Sequence, residues 1–394
     1  MPVTVLVTDG EQRAALAAVR SLGRTGRRVV VAAKRSRSLA GVSRFAARQV
    51  VVPDPLGDPA GFAESVARVV REEQVGVLLP IAEPAILAIL DRRDAFGACR
   101  IPFPSAEVFR RVSDKSAVLA LAPELGIAVP EQRMLQSRAE AGVAAALGFP
   151  VVLKPWRSVA EGPAGRKSLT VLHAADAAQL EARIAALPAE AFPLLVQRRI
   201  AGPGAGIFLL VWDGEIRARF AHRRLREKPP SGGVSVYSES IAADADLVAR
   251  SRGLLERLGW QGVAMVEYKI DLATGTPYLM EINGRLWGSL QLAIDAGVDF
   301  PALLVSWALG EQPATVSTWR SGTRLRWEWG NVDYLLTRIR RSNAELSLPP
   351  DAPGRWKSLR ESGLVWLPGD RLEVLRAGDP APFLLESWRW LRQV

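Results

Sequence analysis

Apolar and polar positions follow two rhythms along this chain. "VTVLVT" is an apolar, β-branched run, "EQRAALAAVRSLGRTG" has helical spacing and ends at glycine, and "RRVVVAA" is a second strand. "ARQVVVP", a helix from about Pro59 to Glu73, and "GVLLPI" continue the alternation. This order predicts parallel strands joined by crossover helices over residues 1–110. Pro102 and Pro104 break that unit, a short helix carries Ser113 to Lys115, and "GIAVP" turns into a new strand.

Strands and hairpins dominate the next region. "GFPVVLKP" reads as a buried strand ending at Lys154, and "FPLLVQRRI" as another. "GIFLLVWDGEIRARFAHRR" predicts a hairpin turning at Asp213–Gly214. A helix follows over about 244–259, then a second hairpin, "VAMVEYKIDLATGTPYLMEIN", turning near Ala273 to Gly275, then a helix from Leu290. Eight of the twelve tryptophans lie at or beyond Trp307, so the tail has its own aromatic packing to satisfy. Val316 to Val394 therefore reads as an appendage packed on the second region. The expected fold class is parallel α/β first, then a two-lobed α+β unit, then this appendage.

The stretch "PYLMEINGRLWGS" raises the chemical question. At period two, Leu279, Glu281, Asn283 and Arg285 share one face, and Met280 and Ile282 share the other. Folding the hairpin about Thr274 sets Glu267 opposite Glu281, with Asn283 one step along. Facing carboxylates repel unless a cation sits between them. A hard divalent ion meets that need, with Asn283 adding a neutral oxygen and Arg285 placed for a carboxylate or phosphoryl oxygen. The alternative is a solvated face on which the two glutamates pair with Lys269 or Arg285. Lys154, on an apolar strand, needs a partner. Lys115 follows "SD" at a helix start. The stretch "PWRSVAEGPAGRKSL" offers Gly162, Gly165 and Ser168, where backbone N–H groups can approach phosphates.

Composition narrows the chemistry. A chain of 394 residues, 48% hydrophobic, can bury two or three cores. One cysteine, Cys99, permits no intrachain disulfide. With only His173 and His222 beside it, a Cys/His zinc site cannot be built, and neither histidine accompanies a G-x-S-x-G elbow. A metal here would be held through oxygen, which means Mg²⁺ or Mn²⁺. No apolar run reaches bilayer length, and "MPVTVLVTDG" lacks a basic n-region, so no membrane partner and a cytoplasmic location are expected. The net charge of +10 reflects compositional bias or attraction to phosphates and acidic substrates. "YLLTRIRRSNAE" is the densest basic cluster but has no nucleic-acid motif, so nucleic acid is not an expected partner. "VTDGEQ" lacks G-x-G-x-x-G, which argues against dinucleotide binding.

In order, "SDK…GIAVP", "GFPVVLKP", "LLVQRRIAGPG", "VAMVEYKID" and "YLMEINGRLWGS" resemble the ATP-grasp superfamily of carboxylate–amine ligases, of the carbamoyl-phosphate-synthase and D-alanine–D-alanine-ligase type. The resemblance covers about residues 1–310. It implies a pre-ATP-grasp domain over 1–110, an ATP-grasp domain over 111–312 and a Trp-rich extension over 313–394. The ATP-grasp domain would have a small lobe over about 111–198 and a large lobe over about 199–312. By position, Lys115 and Lys154 would contact ATP phosphates, and Gln197, Arg198, Arg199 and Ile200 would be the hinge strand whose backbone reads adenine. Glu267, Glu281 and Asn283 would hold Mg²⁺ (or Mn²⁺). Arg285 would stabilise the transferred phosphoryl group, the loop after Lys154 would close over the nucleotide, and Arg224 to Gly233 would border the acceptor pocket. His222 could approach the acceptor, or else pack.

Two departures stand out. The family usually has an acid where this chain has Gln197, and another, for the ribose, where Gly204 stands; Glu215 or the tail would have to compensate. The implied reaction joins a small-molecule carboxylate to an amine through an acyl phosphate, releasing ADP and phosphate. The alternatives are another acceptor (phosphotransfer, a thiol or a carrier-bound group such as tRNA) or a nucleotide-binding regulator with weakened catalysis. A homodimer is the expected assembly.

Overall fold

The computed structural model describes residues 3–156, 159–162, 165–168, 171–343, 345–346, 348, 354, 356 and 369–392. The first unit is built from β1 (Thr4–Val7), α1 (Arg13–Arg24), β2 (Arg28–Ala33), β3 (Arg48–Val51), α2 (Pro59–Glu72), β4 (Val75–Leu79) and α3 (Glu83–Leu90). All its strand pairs are parallel and the order is β3-β2-β1-β4, as the alternation predicts. Asp58 starts α2 by accepting from the Gly61 N–H, with Pro59 in the first turn. The order in which strands are added reverses between β1 and β4, while the strands stay parallel. There Asp9, at a left-handed φ of 55°, accepts from the Ile81 and Ala82 N–H groups at 3.1 and 2.9 Å. That is the crevice at which open α/β sheets present ligands.

Two short helices follow, α4 (Ala106–Ser113) and α5 (Lys115–Leu121). The single helix expected through Ser113–Lys115 is broken because Asp114 caps α5, its side chain accepting from the Ala117 N–H. Lys115 therefore opens a helix.

The small lobe holds β5 (Gln132–Leu135), α6 (Ala141–Ala145), β6 (Val151–Pro155), β7 (Val159–Gly162), β8 (Gly165–Ser168), β9 (Leu172–Ala174), α7 (Ala177–Ala186) and β10 (Leu194–Arg198). Its four-stranded sheet runs β5-β10-β6-β9 over a separate apolar cluster that includes Leu135, Leu153, Leu180 and Val196. The expected phosphate loop is the antiparallel ribbon β7–β8, with Gly162 opposite Gly165. Its turn at 163–164 and its flanks at 157–158 and 169–170 lie outside the described residues.

The large lobe holds β11 (Gly204–Trp212), β12 (Glu215–Lys228), β13 (Val234–Ser240), α8 (Ala245–Arg257), β14 (Gly262–Ile270), β15 (Pro277–Asn283), α9 (Leu290–Ala296) and α10 (Phe300–Leu309). Asp213 and Gly214, at φ 52° and 74°, make the predicted β11–β12 turn; two positive φ values match the right-handed twist of hairpin strands.

The tail supplies β16 (Arg324–Arg326), α11 (Glu328–Arg340), β17 (Asp370–Leu372) and α12 (Ala381–Leu391). It is more than an appendage. β16 and β17 extend the large sheet to the order β15-β14-β11-β12-β13-β16-β17. The tail also grips the first unit. Arg20 on α1, 1% exposed, bonds Asp379 at 2.8 Å and the carbonyls of Val374 and Asp379 at 2.8 and 3.0 Å. One continuous core links the first sheet to the large one. Among the described residues, no single helix is long and apolar enough to cross a membrane.

Candidate active site

The site forms where the small-lobe core and the large core fail to merge. β6 and β10 close it from above, and β14 and β15 form its floor. The register Glu267↔Glu281 is the one expected from the hairpin. One prediction about the floor is corrected. The pairing slips between Glu267 and Tyr268, which faces Leu279, so Met280 bulges out of the alternation. Leu279 joins Ile282 in the core, while Met280 lines the cavity beside Glu281 and Asn283. A bulge of this kind arises from tertiary packing and breaks period two without a sequence signal.

The cavity holds about 320 Å³. Lys154, Gln197, Arg198, Arg199, Ile200, Glu267, Glu281, Asn283 and Arg285 all line it. Two anticipated residues do not. Lys115 pairs with Glu281, its Nζ 3.2 Å from Oε2. His222 is 1% exposed, its ring stands edge-on to Phe208 at 4.7 Å, and Nδ1 lies 3.4 Å from the Ser289 hydroxyl. Burial, then the nearby Arg224 charge, keeps its imidazole neutral. It is a core residue, so the acceptor role raised for it is withdrawn.

Charge pairing sets the electrostatics. Burial by itself raises a carboxyl's pKa, but the Lys115 and Lys154 ammonium groups outweigh it and hold Glu281 at about 2. Asn283 donates from Nδ2 to Glu281 Oε1 at 3.1 Å, and its own oxygen accepts from Arg285 at 2.9 Å. Lys154 is buried against Met280, its Nζ 3.7 Å from the sulfur. Burial pulls this ammonium down to about 8 against the attraction of Glu281. Glu267 is gripped by both ends of the Arg224 guanidinium, at 2.8 and 2.5 Å. Burial pushes Glu267 upward, Arg224 opposes that, and the Glu281 charge adds to it. Lysines and arginines outnumber glutamates along the lining, which favours a polyanionic ligand.

Several lining residues were not singled out from the sequence. Glu227 stands where Gly204 leaves room: a Cβ on Gly204 would lie 3.1 Å from Glu227 Oε1. Glu215, by contrast, sits at the hairpin tip pairing with Arg252 and does not line the cavity. His173 on β9 faces the hinge, and burial, then Arg199 and Lys269, lowers it to about 4. No motif marks Glu227 or His173, because β12 and β9 bring them in from sequence-distant strands.

Glu267, Glu281 and Asn283 offer hard oxygen donors only, which fits Mg²⁺ or Mn²⁺. Among the described residues, no group of three or more His, Cys, Asp or Glu side chains converges as a metal site. Two carboxylates and an amide do not close a coordination sphere. They suit an ion that takes its remaining ligands from phosphates.

A second cavity, of about 790 Å³, shares Arg13, Val234, Arg285 and Gly288 with the first. It occupies the β1/β4 crevice and is walled by Trp327, Trp329 and Trp390 of the tail. Trp329 and Trp390 stack at 4.1 Å, and the Trp327 indole donates to Glu386 at 2.9 Å. The tail thus builds the far wall of a cleft that opens onto Arg285.

Residues 190–330 match the model of a family described as ATP-grasp in the biosynthetic pathway with Ter operon. The structure resembles that of an L-amino acid ligase from Bacillus licheniformis at 18% identity and TM-score 0.61, over 78% of this chain and 74% of that one. It resembles an ADP complex of PurK, N5-carboxyaminoimidazole ribonucleotide synthetase, at 15% identity and TM-score 0.64, over 86% of each chain. It also resembles a biotin carboxylase–β-γ-ATP complex from Campylobacter jejuni at 15% identity and TM-score 0.63, over 82% of this chain and 74% of that one. These likenesses are of fold. No curated protein matches the sequence.

Proposed function

We propose that the chain is a member of the ATP-grasp superfamily, a reading its fold and the match over residues 190–330 support, and that it is an ATP- and Mg²⁺-dependent ligase. It activates a small-molecule carboxylate as an acyl phosphate and couples it to an amine. One observation carries the reading: opposed Glu267 and Glu281, with Asn283 and Arg285, meet Lys154 of the other lobe in a single cationic cavity.

In this reading Lys154 binds the nucleotide phosphates, and the hinge from Gln197 to Ile200 holds the base. Glu227 takes the ribose hydroxyls in place of the acid missing at Gly204. Lys115 acts through Glu281, keeping that carboxylate ionised and oriented. Glu267, Glu281 and Asn283 hold the metal, which supplies charge neutralisation on the phosphates. Arg224 and Lys115 now occupy those carboxylates and must share them with the ion.

The carboxylate substrate approaches from the second cavity and attacks the γ-phosphorus, expelling ADP. Arg285, at the junction of the two cavities, steadies the transferred phosphoryl group. The amine then attacks the acyl carbon, loses its proton and expels phosphate. No protein nucleophile takes part. The Trp327, Trp329 and Trp390 wall selects the substrates and shields the acyl phosphate from water.

The test is ADP and phosphate release from MgATP against pooled carboxylates and amines, with Glu281→Gln as the blank. Stimulated release that disappears in the variant is the expected result. ADP without an amide product would instead assign another acceptor. Tight ATP binding with no release from any pool would assign a regulatory nucleotide binder.

A further inference from the structure

The glutamine that replaces the usual hinge acid is paired. Gln197 on β10 is 1% exposed and lines the nucleotide cavity. Its ladder partner on β5 is Gln132. Gln197 donates from Nε2 to Gln132 Oε1 at 2.7 Å. Gln197 Oε1 keeps no protein partner among the described residues.

Two amides facing each other have a property that a carboxylate lacks. Each carries an acceptor oxygen and a donor nitrogen, so both can reverse together. After reversal Gln132 Nε2 donates to Gln197 Oε1, and Gln197 turns its NH₂ to the cavity. The link between them is kept in either state, so no buried group is stranded. A glutamate at position 197 would offer the cavity acceptors alone.

In the nucleotide reading above, Gln197 lies beside the 6-position of the bound base, and purines differ there. Adenine carries a donor there, the 6-amino group, and guanine an acceptor, the 6-oxo group. A fixed acceptor leaves guanine's oxygen facing another lone pair, and a site with a stranded polar group discriminates strongly.

We propose that the Gln132–Gln197 pair is a reversible reader of the purine 6-position, so that the site accepts 6-oxo purine nucleotides such as GTP as well as ATP. The inference rests on the nucleotide reading above. Gln197 is the specificity-determining residue, and Gln132 is a positioning residue that acts through it. The hinge backbone from Arg198 to Ile200 does not change on reversal. ATP therefore keeps an advantage, and the pair removes the penalty at position 6 only.

The test measures dissociation constants for MgATP and MgGTP by calorimetry on the full chain and two variants. Gln132→Glu can only accept, so it fixes Gln197 Nε2 toward itself and Oε1 toward the base. Gln197→Glu offers only acceptors directly. The wild type is expected to prefer ATP by no more than about 30-fold, and each variant to raise that preference at least about 10-fold by weakening GTP. A pair that merely staples β5 to β10 would leave the ratio unchanged in Gln132→Glu, because that bond survives. An unchanged ratio, or a wild type that rejects GTP by more than about 1,000-fold, overturns the proposal while leaving the ATP reading intact. Failure to bind either nucleotide overturns both.

Discussion

Replacing Lys154 with methionine should stabilise the fold and weaken nucleotide binding. Lys154 is 9% exposed, on an apolar strand, with the Met280 thioether as the one hydrogen-bond acceptor of its ammonium among the described residues. Burial brings its pKa from 10.5 to about 8. At ~1.4 kcal/mol per pH unit, holding this charge in the fold at pH 7 costs about 3 kcal/mol. Methionine matches its length and can pack on Met280. Glu281 loses one neighbouring cation but keeps Lys115 at 3.2 Å, which returns part of the gain. The net expectation is a gain of roughly 2 kcal/mol, as for other functional groups held at a cost to stability. The pH dependence fixes the cause. The folded pKa lies below the unfolded one, so the penalty is complete below about 8 and fades as pH rises toward 10.5. Urea unfolding of wild type and Lys154→Met at pH 7 and pH 10.5 should show the variant's advantage shrinking toward zero at the higher pH. MgATP affinity should fall by about 100-fold, in line with the loss of a charge-assisted contact. A variant less stable than wild type at pH 7, or an advantage independent of pH, refutes the reasoning.

Three further outcomes are expected. If Glu227 holds the ribose, Glu227→Gln should weaken ATP by about 10-fold but leave 2′,3′-dideoxy-ATP nearly unaffected, as competition binding would show. Burial raises Glu373 to about 7, against Arg13 and with Glu328 adding to it; its favourable contribution is complete below about 4.5 and lost as pH rises through about 7. Thermal stability should therefore fall between pH 5 and pH 8, and Glu373→Gln should flatten that slope. Asp379→Asn strands the buried Arg20 charge and should cost about 3 kcal/mol in urea unfolding, whereas Arg20→Met with Asp379→Leu should recover most of it.

The sequence revealed whatever local rules control. Alternation and turn chemistry set the β11–β12 and β14–β15 hairpins, and with them the facing of Glu267 and Glu281. Spacing of apolar runs showed the first sheet and its helices. Nothing local showed the bulge that turns Met280 into the cavity, since it comes from how β15 packs. His222 looked available beside a run of arginines, yet its position on β12 points it at Phe208. Lys115 resembled a phosphate ligand; its pairing with Glu281 joins two sequence-distant elements and has no local signal. Glu227 was hidden because its relation to Gly204 exists only across the β11–β12 pair. Arg20 and Asp379, far apart in sequence, fix the tail to the first unit through a buried bond that no motif announces.

The most direct measurement of the chemistry is trapping of the acyl phosphate with hydroxylamine, an amine small enough to bypass acceptor selection. Wild-type chain, MgATP, pooled carboxylates and hydroxylamine should yield hydroxamate and ADP in equal amounts, and Glu281→Gln should yield neither. ADP formed without hydroxamate, or hydroxamate formed equally by the variant, would contradict the assignment of this cavity as a carboxylate-activating site.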